Sequence, residues 1–500
     1  MQTSPEQSKS PSGQAEQRPS FLSVFPSIML PMFLAVVDQT IVATALPAIA
    51  AGTGEVGRAS WVVVSYLIAS TIAAPIYGRL GDAFGRRQLM YVALGVFMVA
   101  SLLCAAASNI ELLSLARVLQ GLGGGGLMTL SQALIGEAIP PRQRARYQGY
   151  LAAIAVSANS FGPVAGGYLT EHFGWRSIFL INVPFGLIAL GLVFRLPSRA
   201  TTREAWRADP MGLLWFTVFV TAILLALEQT QHVNMEVLPL AGGLFAIAIV
   251  ALGLLLRQET RAPSPLIPIG LLRQSAIWHS DGMAACHGAA LVSLITFLPV
   301  YLEVVRGMSP SSTGLLLVPL TVGIGTGSLI IGRLVSKSGR TMVFPIYGLV
   351  ALTLSLVFLA FFAGSLGTTA LTIYMLATGL FFGTVMGVVQ VTVQSAAGQA
   401  KLGEAAASVQ FSRSIGAGLG TALVATILFA ILTFRNPQAA GAFAAIVEHS
   451  QANGPALLSP EQRAAVQADI ADAFRAAFLT MAGFTACGFF LALTNPLRRI

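Results

Sequence analysis

Runs of eighteen or more mostly apolar residues recur along the whole 500-residue chain. Nothing else in the sequence restricts its fold so severely. A helix of that length crosses the roughly 30 Å hydrocarbon core of a bilayer. Inside lipid every peptide group must find its partner within protein, which leaves helices or closed barrels as spanning structures. The two-residue alternation of a barrel is absent, so the reading is an all-α, multi-pass membrane protein. Only 10% of the residues are charged, against about 25% in soluble domains.

Fourteen spans are expected, near 25–48, 59–80, 88–107, 111–138, 145–170, 177–195, 210–229, 236–257, 276–304, 311–335, 342–363, 367–396, 403–434 and 473–494. An even number puts both ends on one side. Alternating the loops assigns 21 Lys and Arg to the side of the termini and 6 to the other. That bias predicts cytoplasmic termini in an inner (plasma) membrane. The net charge of +9 is therefore read as topology and not as a nucleic-acid surface. Residues 1–24 read as a disordered cytoplasmic tail. The long outer loop 435–472 carries a helical stretch, 460–476, read either as lying on the membrane surface or as a solvated helix.

An internal repeat has a constant spacing of 254 residues. Gly78, Arg79 and Leu80 recur as Gly332, Arg333 and Leu334, and Gly85-Arg86 as Gly339-Arg340. Ala158, Gly162 and Gly166 recur as Ser412, Gly416 and Gly420. Two six-helix bundles, 25–195 and 276–500, joined by a linker (196–275) with two extra spans, produce this pattern. Parallel repeats around a pore are a transporter architecture.

GRLGDAFGRR (78–87) sits between spans 2 and 3. Gly78 and Gly85 suit a tight turn, and Arg86 and Arg87 set topology. Asp82 gains nothing for topology and is read as a local lock, through an ion pair or a helix cap. QGLGGGGLM (120–128) lacks the Gly-Lys-Ser/Thr ending of a phosphate loop and reads as helix packing. In span 5, Gly162, Pro163, Gly166 and Gly167 give a small face and a bend, read as ordinary packing or as a seam between the halves.

Asp38, in FLAVVDQTIVATALP (33–47), has no charged neighbour in its own apolar run. A carboxylate there costs several kcal/mol unless compensated. Counting 1.5 Å per residue sets it roughly 20 Å from the inner edge, and Arg117 roughly 9 Å from the outer edge, which is one level in a core of about 30 Å. The two are read as a proton-coupling pair or as a static ion pair. In the second half Asp281, His287, Gln390, Gln394 and Arg413 are the polar candidates for a wet substrate cavity. Cys104, Cys286 and Cys487 all fall in apolar runs; neither a metal site, a cofactor motif nor an enzymatic nucleophile–base pair is visible.

These motifs together resemble the major facilitator superfamily, and within it the fourteen-helix drug:proton antiporter branch. The 78–87 motif resembles the superfamily's GxLxDxxGRR loop. Arg117, Gln120, Gly121 and Gly123 match RxxQGxG, and Gly162, Pro163, Gly166 and Gly167 match the antiporters' GPxxGG. Asp38, Thr40, Ile41, Val42, Leu46 and Pro47 match the branch's first-span D-x-T-I-V-x-x-x-L-P, and WRSIFLINVP (175–184) its entry to span 6. Ala43, Gly124, Gly125 and Ser177 depart from the usual residues.

The resemblance implies a major facilitator fold and a monomeric multidrug efflux protein of the antibiotic-resistance type. It would exchange amphipathic, cationic small molecules for protons by alternating access. Asp38 would be the protonation site, Arg117 would assist it, Asp82 would stabilise the outward-facing state, and the Gly162-Pro163 region would serve exchange. The alternatives are an exporter of one endogenous metabolite, lipid or siderophore, and a non-transporting receptor or structural protein.

Overall fold

The computed structural model describes residues 21–55, 58–196, 209–229, 238–262, 265–266, 269–436, 443 and 460–500. Among them the chain is helical throughout, with one isolated bridge pair, Arg340 and Arg499. The spans are α1 (Phe21–Thr53), α2 (Trp61–Phe84), α3 (Arg86–Ala106), α4 (Ile110–Ala138) and α5 (Pro141–Phe173). Next comes α6, broken at Ile181 into Ser177–Leu180 and Asn182–Val193. The inserted pair is α7 (Pro210–Gln229) and α8 (Leu238–Glu259). The second half has α9 (Ser275–Val304), α10 (Pro310–Ser338), α11 (Val343–Phe362), α12 (Thr368–Phe382 and Met386–Ala397), α13 (Leu402–Arg435) and α14 (Pro460–Thr494). Eleven described helices are long and apolar enough to cross a membrane. The polar residues of α4 and α5 and the break in α6 account for the other three of the fourteen.

Each half has its own apolar core. One cluster runs from Ile28 through Phe97 and Phe179 to Leu196. The other takes in Leu294, Leu356, Phe382, Phe474 and Phe478. A third, smaller cluster ties Phe216, Val220 and Leu255 of the inserted pair to Ile72 of α2 and Ala422 of α13. The inserted helices therefore lean on the seam between the halves. Large apolar residues such as Leu315 and Tyr347 remain exposed on the outer faces, as expected of surfaces that meet lipid.

The glycine run of α4 is a packing device. A Cβ at Gly123 would lie 2.7 Å from the Phe97 nitrogen of α3, and one at Gly126 2.8 Å from the Tyr77 ring of α2. Gly125, one of the departures from the family pattern, lies against the Ser70 carbonyl of α2, so an alanine would force the two helices apart.

Two expectations change. The stretch 460–476 is not a separate surface helix. It continues without a break into α14, and Ile470, Ala473, Phe474, Ala477 and Phe478 are buried. Its apolar stripe packs on protein. The rest of loop 435–472 lies largely outside the described residues. At the other end α1 begins at Phe21, so residues 21–24 belong to the helix; residues 1–20 lie outside the described residues.

Candidate functional site

The first feature is a polar knot inside the N-terminal half. Arg117 Nη1 of α4 donates to Asp38 Oδ2 of α1 at 2.5 Å, and both side chains are fully buried. Asp38 Oδ1 accepts from Gln120 Nε2 and from Asn182 Nδ2, each at 2.8 Å. Arg117 also donates from Nη1 to Gln120 Oε1 (2.8 Å) and from Nε to the Val62 carbonyl (3.0 Å). Nη2 has no hydrogen-bond partner, and the guanidinium lies 4.2 Å from the centroid of the Tyr66 ring. A buried ion pair survives when most of its remaining donors and acceptors are satisfied, and here α2 (Val62), α4 (Gln120) and α6 (Asn182) supply partners for all but Nη2. The depth count thus located the pair. Asn182, in the 175–184 motif, was not singled out, although an amide within that apolar run was the available signal.

Three successive residues of α1 face three neighbours. Asp38 faces α4 and α6. Gln39 lines a small cavity of about 50 Å³ between the halves, with Ser70, Gln410 and Arg413. Thr40 meets α5, where a Cβ on Gly162 would come within 2.7 Å of the Thr40 Cβ. At 3.6 residues per turn, neighbours in sequence point about 100° apart.

The second feature is a clasp between the halves, on the face that carries the α2–α3 turn and the C-terminal residues. Gly85 makes that turn at φ 101, a region open to glycine. Asp82 accepts from the backbone nitrogens of Gly403 (2.9 and 3.0 Å) and Glu404 (3.0 Å), at the start of α13. Helix starts present unpaired N–H groups and a positive dipole end, so the carboxylate is a cap contributed by the other half. Arg86 binds Asp82 Oδ1 at 2.5 Å and Glu137 of α4 at 2.6 Å. Arg79 bridges to Glu404 at 2.7 Å. Arg87 donates to the Phe194 carbonyl within its own half. Gly78 and Gly403 touch closely enough that a Cβ on Gly78 would sit 2.6 Å from the Gly403 carbonyl oxygen. The repeat supplies a related contact displaced by one helical turn: Gly149, 254 residues before Gly403, lies under the Ser328 carbonyl of α10, and Gly332, 254 residues after Gly78, under the Ala145 carbonyl of α5 (2.6 and 2.4 Å to a built Cβ).

The other expected site residues fall in different places. Gly162 and Gly166 pack α5 against Thr40, Ile41 and Thr44 of α1, so this small face is a seam within the N-terminal half. Pro163 lies inside the unbroken α5, and a Cβ on Gly167 would meet open space. On α5 the contact with the other half is made instead by Ala145 and Gly149, against α10. The candidates for one second-half cavity do not converge. His287 Nε2 donates to the Phe382 carbonyl (3.1 Å), where α12 breaks. It stands in for a helical bond lost at that break. Gln394 Nε2 donates to the Gln132 carbonyl of α4 (2.9 Å) and belongs to the clasp. Gln390 is buried in α12 with an unpartnered amide nitrogen. Only Arg413, bonded to Gln410 at 3.2 Å, faces the cavity beside Gln39. Asp281 lines a separate, larger cavity. Periodicity shows which face of a helix a residue occupies but not which neighbour that face meets.

The chain is 30% identical over 473 residues to an uncharacterised MFS-type transporter of Mycobacterium tuberculosis, covering 94% of this chain and 69% of that one. It is 31% identical over 408 residues to the multidrug transporter protein MdtP of Bacillus subtilis, covering 80% and 74%. The fold matches that of the human organic anion transporter MFSD10 with a TM-score of 0.65 at 13% identity, covering 95% and 100%. The sequence profile described as Major Facilitator Superfamily matches residues 28–421. With its two repeated bundles, its cross-bundle clasp and these relatives, the chain belongs to the Major Facilitator Superfamily; it is a membrane transporter and not an enzyme, and its relatives include a multidrug transporter.

Proposed function

We propose that this transporter exports amphipathic, cationic small molecules in exchange for protons, by alternating access, from an inner (plasma) membrane with both termini cytoplasmic. The observation that carries the reading is the fully buried Asp38–Arg117 pair. A proton reaching Asp38 from outside cancels its charge and its attraction for Arg117 and for the amides of Gln120 and Asn182. That loosens α1 from α4 and α6. Loss of the proton toward the cytoplasm restores the tie. Arg117 keeps its charge throughout, cushioned by the Tyr66 ring and the Val62 carbonyl.

The clasp at Asp82 holds the cytoplasmic ends together, an arrangement that favours access from outside. Its release would admit substrate beside Gln39, Gln410 and Arg413. The name of the Bacillus subtilis relative, a multidrug transporter, supports a broad substrate range. One chain holds both halves, so the monomer is the transporting unit.

The test is Asp38→Asn in proteoliposomes. Dye efflux driven by a pH gradient is expected to fall to background while the variant keeps its helical content and its elution as a monodisperse species. Gradient-driven efflux at the wild-type rate would overturn the mechanism. Competition by chemically unrelated cations separates a multidrug pump from an exporter of one metabolite.

A further inference from the structure

The inserted helices α7 and α8 have no counterpart in the 254-residue repeat, and yet they close a cavity. It has a volume of about 420 Å³ and lies between the inserted pair and the second half, with walls from α2, α7, α8, α9 and α13. That is within the range of small-molecule sites, roughly 300–1,000 Å³. The wall is largely apolar, with Phe219, Leu256 and Phe411 among its residues and the Trp278 ring at one side.

Into this apolar space points Asp281. It is 6% exposed. Its Oδ1 accepts one long hydrogen bond from Ser408 Oγ (3.4 Å), and its Oδ2 has no partner. Glu259 and Glu404 also line the cavity. Arg79 is engaged with Glu404 at 2.7 Å. A buried carboxylate with an unmet oxygen is costly, and a bound cation with an apolar body would relieve it. Trp278 adds an aromatic face that attracts cations. Asp281 lies six residues into α9, about 9 Å from its start, at the depth of the cytoplasmic leaflet.

We propose that this cavity is a binding site for a hydrophobic organic monocation, distinct from the space between the halves, in which Asp281 supplies the counter-charge and α8 the removable wall. The site rests on the exporter reading and deepens it, for it would collect amphipathic cations from the inner leaflet before they reach the seam between the halves.

The experiment is equilibrium binding of radiolabelled tetraphenylphosphonium to the full-length protein in lipid nanodiscs. Asp281→Asn is expected to weaken binding about tenfold or more, Asp281→Glu to retain most of it, and neutral triphenylphosphine oxide to compete poorly. Leu256→Trp, at a cavity-lining position that is 51% exposed, should fill the cavity and weaken binding without touching a charge. If Asp281→Asn lowers the melting temperature, Leu256→Trp decides. Wild-type affinity in a folded Asp281→Asn protein, or in Leu256→Trp, overturns the proposal. Asp281-dependent binding without any gradient-driven efflux of the same cation leaves the site standing and overturns the exporter reading instead.

Discussion

At the scale of the residue, Asp38 and Arg117 form the most enclosed ion pair among the described residues. Removing one partner leaves the other charge buried with nothing opposite. Arg117→Ala is therefore expected to destabilise the N-terminal half by about 3–5 kcal/mol, read as a lower melting temperature of the purified protein. The double variant Asp38→Asn/Arg117→Ala should recover part of that loss, because the uncompensated charge is gone. The pair was legible in the sequence because depth in a membrane helix is a matter of counting residues. Asn182 and Glu404 were not, for opposite reasons. Asn182 sits in a run whose apolar neighbours hide its direction, and Glu404 stands at the mouth of a span, where an acid reads as interfacial.

At the scale of the element, the clasp depends on two helices meeting through bare backbone. Gly403→Val would place a Cβ 2.8 Å from Asp82 Oδ1 and against the Gly78 carbonyl. The α2–α13 contact cannot then close. Spin labels at Gln88 and Lys401, both exposed, should report a longer and broader distance distribution than in the parent protein, and an unchanged distribution would show that the contact is slack. Asp82→Asn keeps the shape but removes the charge from the α13 cap, so the same labels should move in the same direction by less. The 78–87 motif announced the turn and the acid, but its partner lies more than 300 positions away at Gly403 and Glu404, beyond any local pattern. The stretch 460–476 failed for a related reason. An apolar stripe of helical period is the same whether it will meet lipid, water's edge or another helix. Here Tyr301 of α9 receives Phe474 and Phe478 edge-on, at centroid distances of 5.4 and 5.5 Å.

At the scale of the whole molecule, the Gly78–Gly403 contact of α2 with α13 has a counterpart of α10 with α5, Gly149–Ser328 and Gly332–Ala145, displaced by one helical turn. Fold and repeat were legible because a constant spacing of 254 residues survives in the sequence. The place of α7 and α8 was not, since an insertion outside the repeat inherits no position from it. The excess of basic residues on the clasp face predicts its orientation. A tag inserted near residue 450, in the segment between α13 and α14, should be stained on intact cells, and a C-terminal tag only after permeabilisation. Staining of both on intact cells would reverse the assigned orientation.

The three-way facing of residues 38, 39 and 40 limits how α1 can move. A turn of the helix about its own axis would pull Asp38 from Arg117, drag Gln39 out of the cavity and drive Thr40 into Gly162 all at once. A pivot that carries α4 and α5 along breaks none of these. The first helix is thus geared to its bundle at three teeth on successive residues. Under the proposed mechanism, slackening one tooth with a proton would leave the other two to steer the motion, so a chemical event at residue 38 would have a single peptide bond to cross before it reaches the wall of the cavity between the halves.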